Sequence, residues 1–220
     1  MDEKELIKKY SLDIEQLKRE QQRLSKSLQI KDEMNFSEIS RIGAISNIVI
    51  QNQIISAIII CNEDYEIIEQ QYFLDKLRFP YLRDFRSYRE IPSMIEAYNK
   101  LNEKPDVMLI NGPGIAQGTL GIASHFSVYT NIPTIGVSSE LFEGNEIKNN
   151  NEIFLNEKKV GNILLSKEKS NPLYISPGNR ISIESSLNVI KNMIKPPHKL
   201  PEPMHLANKY AKQVREELKL

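Results

Sequence analysis

Three Ile- and Val-rich runs stand almost back to back between Arg41 and Leu74: IGAISNIVI, IISAIII and YEIIEQQYFL, separated only by QNQ and CNED. Branched Cβ atoms are stiff in a helix and pack well on a pleated surface, so these runs favour strands. The separators are short and polar, and the strands therefore return on one another as sequential hairpins. A chain that begins its core this way is committed to an antiparallel sheet, and the rest must add to it or cover it. The longest apolar run, Ile54 to Cys61, is far too short to cross a bilayer.

Beyond Leu74 the hydrophobic pattern alternates in period. Residues 90–103 place Ile91, Met94, Ile95, Tyr98 and Leu101 at helical spacing, and KPD stops that helix before a strand, VMLI. The logic then repeats: NGPGIAQG reads as a loop, LGIASHFSVYT as a helix and IPTIGV as a strand. Such alternation implies parallel strands joined by helical crossovers. LFEGNEIKNNN reads as an exposed loop, EIFL and KVGNILL as weaker strands, YISPGNR as a break and ISIESSLNVIKNMI as another helix. Residues 3–30, with Leu6, Ile7, Tyr10, Ile14, Leu17, Leu24 and Leu28 between charges of both signs, read as one amphipathic packing helix. The expected architecture is an α/β, RNase H-like mixed five-stranded sheet, three antiparallel strands then parallel strands, with helices on both faces. The expected division is residues 1–33 as an N-terminal helix, 34–195 as the domain, and 196–220 as a Pro-rich linker with a C-terminal helix.

At 220 residues the chain can fill one core. Its 29 basic and 29 acidic residues cancel, so overall charge gives no attraction to nucleic acid or anionic membrane, and such a partner must be held locally. MDEKELIKKY has no apolar h-region, which points to a cytoplasmic protein. Cys61 is the single cysteine, excluding an internal disulfide and a cysteine-built zinc site. His125 lies in a helical run and reads as an interior residue, and His198 and His205 flank a proline-rich stretch without a metal-ligand pattern.

The segment with local charge is Lys76 to Arg89. Lys76, Arg78, Arg83, Arg86 and Arg89 face one acid, Asp84, with Phe79, Tyr81, Phe85 and Tyr88 interleaved. That composition suits phosphate contact with base stacking. It equally suits aromatics packed in a core beneath a solvated arginine face, and both readings stand.

Ordered strings then carry a family resemblance. FPYLRDFRSYREIP, PDVMLINGPGI, LGIASHF, IPTIGV, NPLYISPGNRISIESSL and KLPEP resemble, in the same order, segments of the endonuclease V family, covering about Ile42 to Pro203. The resemblance implies a metal-dependent cut beside a deaminated purine, deoxyinosine in DNA or inosine in RNA. It makes Pro80 and Tyr81 a wedge at the lesion, and it makes Arg89, Gly112, Gly114, Ser176, Pro177, Gly178 and Arg180 substrate-binding positions. It also implies three acidic ligands, because Mg²⁺ takes oxygen donors and clustered carboxylates hold it against a phosphate.

Here the chain departs from the pattern. The first-strand aspartate position is Ile45, the fourth-strand aspartate is Asn111, and only Glu90 remains of the three acids. Ser139 stands where the resemblance places a lysine, and Asn179 where it places a histidine. The expectation is a catalytically impaired protein, with no metal cofactor, or Mg²⁺ or Mn²⁺ if activity remains, that binds DNA or RNA through the inherited wedge and base pocket. Two alternatives stand beside it: an active nuclease whose ligands come from elsewhere, and a subunit that binds a protein partner instead. No membrane partner is expected.

Overall fold

The computed structural model describes residues 2–149 and 151–220. Two short helices lead, α1 (Glu3–Lys9) and α2 (Ile14–Ser25). The single helix expected over residues 3–30 is broken because Ser11 takes a left-handed φ of 51° and Asp13 caps the new helix, accepting from Gln16 N at 2.9 Å. The Ile-rich runs form β1 (Ile42–Ile50), β2 (Gln53–Cys61) and β3 (Ile67–Lys76), paired antiparallel in sequence as expected.

Helix α3 (Arg86–Asn99) comes after a 3-10 turn at Arg83–Phe85. It begins one turn before the Glu90 start read from the sequence, and Pro92 lies inside it. A proline removes the N–H that would reach the Tyr88 carbonyl, and at this exposed position it does not end the helix. Strand β4 (Val107–Asn111), helix α4 (Ile122–Thr130) and strand β5 (Thr134–Ser138) then add the parallel unit, β4 pairing parallel with both β1 and β5.

The sheet does not stop at five strands. The stretch expected as a loop contains β6 (Asn145–Lys148), which pairs with β7 (Glu152–Leu155), then β8 (Lys158–Leu164) and β9 (Leu173–Asn179). Asn150 of that stretch lies outside the described residues. The expected break at YISPGNR is mostly strand, because β9 docks antiparallel on β5 and satisfies its open edge. One nine-stranded sheet results, in the order β3-β2-β1-β4-β5-β9-β8-β7-β6. Helices α5 (Ile183–Asn192) and α6 (Glu202–Glu217) complete the chain.

Alternation along β1 divides the core between two layers. Ile42 and Ala44 join Ile59, Val107 and Leu109 under Val189 and Ile190 of α5 and Met204 and Ala207 of α6. Ile45 joins Ile58, Ile60, Met108 and Ile110 under Met94 and Ala97 of α3 and Phe126 of α4. The C-terminal helix is thus part of the core. No helix among the described residues is long and apolar enough to cross a membrane.

Candidate nucleic-acid cleft

The C-terminal ends of β4 and β5 face the first turn of α3, the arrangement in which open α/β sheets place their ligand crevice. Glu90, in the second turn of α3, is 5% exposed and engaged at both oxygens. Its Oε1 accepts from Arg86 Nε at 2.6 Å, and its Oε2 accepts from Arg86 Nη2 at 3.0 Å and from Asn47 Nδ2 at 2.7 Å. The fork-to-fork contact with Arg86, one helical turn away, is the strong bidentate form of this bond. Burial opposes the Arg86 charge, but the hydrogen bonds and charge of Glu90 outweigh it and hold the guanidinium above the usual arginine pKa.

Around this pair the structure gathers Tyr81, Arg83, Arg86, Asn111, Gly112, Ser138 and Ser139 at a cavity of about 170 Å³. Asn111 ends β4 exposed, and Gly112 comes next at φ 137°, a conformation side chains rarely adopt. Ser138 Oγ donates to Glu140 O and accepts from Glu140 N, closing the turn after β5. Arg83 lies over the Phe142 ring and 3.8 Å from the Glu140 carboxylate. Glu90 does not itself line the cavity; Arg86 does.

Ile45 is 3% exposed, paired with Ile58 and Ile110 and buried under α3. It offers this region an apolar wall. The donor set does not fit a divalent cation. No group of three His, Cys, Asp or Glu side chains among the described residues could hold one, and the Glu90 oxygens are already taken. Among the described residues, the buried acceptor left without a partner here is Asn47 Oδ1, and Asn111 adds an exposed amide; both are neutral, where Mg²⁺ needs a near-octahedral shell of oxygens and carboxylates to neutralise it.

In the Lys76–Arg89 segment some aromatics pack inward and one stands in solvent. Phe79 stacks on Tyr88 at 5.8 Å and Phe85 is buried, while Tyr81 is 56% exposed with the Arg89 guanidinium 5.7 Å from its ring centre. Pro80 beside it is buried. Helix α2 secures the segment: Gln21 donates to Asp84 O at 2.9 Å, and Tyr88 donates to Leu17 O and Glu20.

The remaining expected site residues are engaged in contacts within the fold. Ser176, Pro177 and Gly178 are buried on β9, where Ser176 Oγ accepts from Gly114 N at 2.8 Å. A Cβ on Gly114 would stand 2.0 Å from Pro177 O, so this glycine permits backbone contact. Asn179 Oδ1 accepts from Gln29 N, and Arg180 is paired with Glu33 and Asn131. Both hold the N-terminal segment and not the cleft. Sequence reading missed Asn47 and the Arg86–Glu90 pair. Their signals were the two-residue step from Ile45 along one strand face and the i,i+4 spacing on a helix started one turn earlier.

The Endonuclease V family model matches residues 22–209. The chain belongs to the endonuclease V family. It is 34% identical over 209 residues to endonuclease V of Thermosipho melanesiensis, covering 90% of this chain and 91% of that one. Against endonuclease V of Dictyoglomus turgidum it is 32% identical over 203 residues, 88% of this chain and 87% of that one. The catalytic domain of human endonuclease V superposes with a TM-score of 0.84 at 24% identity, covering 95% of this chain and 100% of that one. Ciona intestinalis endonuclease V, in complex with a 24mer DNA containing an inosine, superposes at 0.83 and 21% identity, covering 93% and 98%. The fold is the endonuclease V fold, an RNase H-like sheet in a family of metal-dependent nucleases.

Proposed function

We propose that this endonuclease V homologue binds nucleic acid, including inosine-containing strands, through Tyr81 and the cleft beside it, and that it does so in the cytoplasm without cutting the strand. The carrying observation is the state of Glu90: both its oxygens are held by Arg86 and Asn47, while Ile45 and Asn111 offer no second carboxylate. Hydrolysis of a phosphodiester needs a metal-activated water or an equivalent base; of the two carboxylates at this cleft, Glu90 is held by Arg86 and Asn47, and Glu140 is a single exposed acid 3.8 Å from Arg83 with no free carboxylate beside it.

Support for binding comes from the surface. Tyr81 presents an exposed ring backed by Arg89, a pairing that stacks on any base, and Arg83 and Arg86 lie within reach of its phosphate. The Ciona relative holds an inosine-containing DNA on the same fold.

The test pairs two measurements on the intact chain. Anisotropy titrations with labelled inosine-containing and control single strands, DNA and RNA, over a range of salt should show salt-dependent binding favouring inosine. Incubation of the same strands with excess protein and Mg²⁺ or Mn²⁺ should leave them intact. Metal-dependent cleavage abolished by Glu90→Ala would instead establish an active nuclease, and absent or salt-insensitive binding would leave a protein-interaction subunit.

A further inference from the structure

We propose that the Arg86 guanidinium is the cleft's permanent cation, standing in for the divalent metal, and that its free edge forms a metal-independent site for a phosphodiester oxygen. The proposal rests on the nucleic-acid-binding reading above and gives its cleft a ligand chemistry.

A guanidinium has five N–H donors in a fixed fork. Glu90 takes one on Nε and one on Nη2. The Nη1 group has no protein acceptor among the described residues, and Arg86 lines the cavity with its side chain 27% exposed. Its position depends on Gly112: a Cβ there would approach Nη1 to 3.1 Å and Ile122 Cγ2 to 2.6 Å. The glycine thus keeps open the space into which the guanidinium reaches. Asn47, donating to the same carboxylate, fixes the rotamer from the far side.

Charge in the cleft points the same way. Three carboxylates, the set the family resemblance calls for, repel a phosphate until cations neutralise them. Here two arginines face two glutamates: Arg86 with Glu90, and Arg83 with the largely exposed Glu140. The cleft is therefore neutral, and Nη1 of Arg86, the Asn111 amide and the Ser139 hydroxyl are donors available to an anionic oxygen. Nothing in that arrangement requires a metal.

The nucleic-acid arm measures affinity for an inosine-containing single strand in EDTA and in excess Mg²⁺, for the natural chain and for Arg86→Leu/Glu90→Gln, which removes both charges together. Equal affinity in the two buffers is expected, with the log–log salt slope falling by about one in the double variant, as for the loss of one phosphate contact. Affinity that requires Mg²⁺, or an unchanged slope in the double variant, overturns the phosphodiester site.

A second arm needs no nucleic acid. Mn²⁺ titrations followed by electron paramagnetic resonance should show no bound ion for the natural chain or for Asn111→Asp, and a bound ion for Asn111→Asp/Arg86→Leu, in which Glu90 is freed of Arg86, keeping only Asn47, beside the new aspartate. Mn²⁺ held by the natural chain, or held equally by Asn111→Asp with and without Arg86, overturns the replacement. A chain that binds no strand yet shows this pattern sinks the nucleic-acid reading and the phosphodiester half, and leaves Arg86 established as the substitute cation.

Discussion

Asn179 Oδ1 accepts a hydrogen bond from the backbone N–H of Gln29 at 2.7 Å, and Arg180 N returns one to Gln29 O at the same length. A position that the family resemblance assigns to the site has become a clasp for the chain's first segment. Asn179→Ala removes the acceptor of the Gln29 N–H, at a cost of about 0.5–1.5 kcal/mol since Gln29 is exposed. Hydrogen exchange should then quicken over residues 26–33, with nucleic-acid affinity unchanged. Exchange confined to β9 would show that the clasp does not hold that segment.

Removing one half of the Arg86–Glu90 pair strands a buried charge. Arg86→Ala should lower unfolding free energy in urea by about 3–5 kcal/mol, and adding Glu90→Gln should restore most of it. Equal losses in the single and double variants would mean that packing, not charge, accounts for the effect.

His125 is 1% exposed, its Nδ1 2.9 Å from Ser87 Oγ and its ring packed between Tyr88 and Tyr129. Burial pushes its pKa down from 6.5 to about 4. Because the folded pKa lies below the unfolded one, the unfolded chain binds more protons between these values. The associated stability is complete above pH 6.5 and is lost as pH falls toward 4, by about 3 kcal/mol in all. Thermal melts from pH 7 to pH 4 should therefore fall more steeply for the natural chain than for His125→Gln. Parallel curves would refute the assignment.

Tyr81 is exposed, with the Arg89 guanidinium beside its ring. Tyr81→Ala should weaken strand binding by about 1–3 kcal/mol, the worth of one stacked base, with the melting temperature unmoved. A stability loss without an affinity loss would make the ring structural.

The sheet's first half was legible because β-branched runs and short polar turns are local signals: β1 to β3 pair as IGAISNIVI, IISAIII and YEIIEQQYFL predicted. The second half was not, because NEIK is exposed and polar and becomes a strand only by pairing with Glu152–Leu155. Residues such as Pro177 and Gly178 argue against a strand until β5 presents an edge to them. In the cleft, the identities of Ile45 and Asn111 are plain in the sequence. The partners of Glu90 are not, because the bond from Asn47 to Glu90 crosses from β1 to α3, and that from Arg86 depended on where α3 starts.

Cation and counter-ion ride on a single helix, one turn apart, while Ile45 and Asn111, where the resemblance calls for aspartates, sit on two different strands. Building a metal site here is therefore not a matter of one substitution. An aspartate placed at position 111 meets a cleft already occupied by a guanidinium, and vacating position 86 first leaves Glu90 a buried anion with only Asn47 for company. If Arg86 stands in for the metal, each single step is expected to cost more than the two taken together.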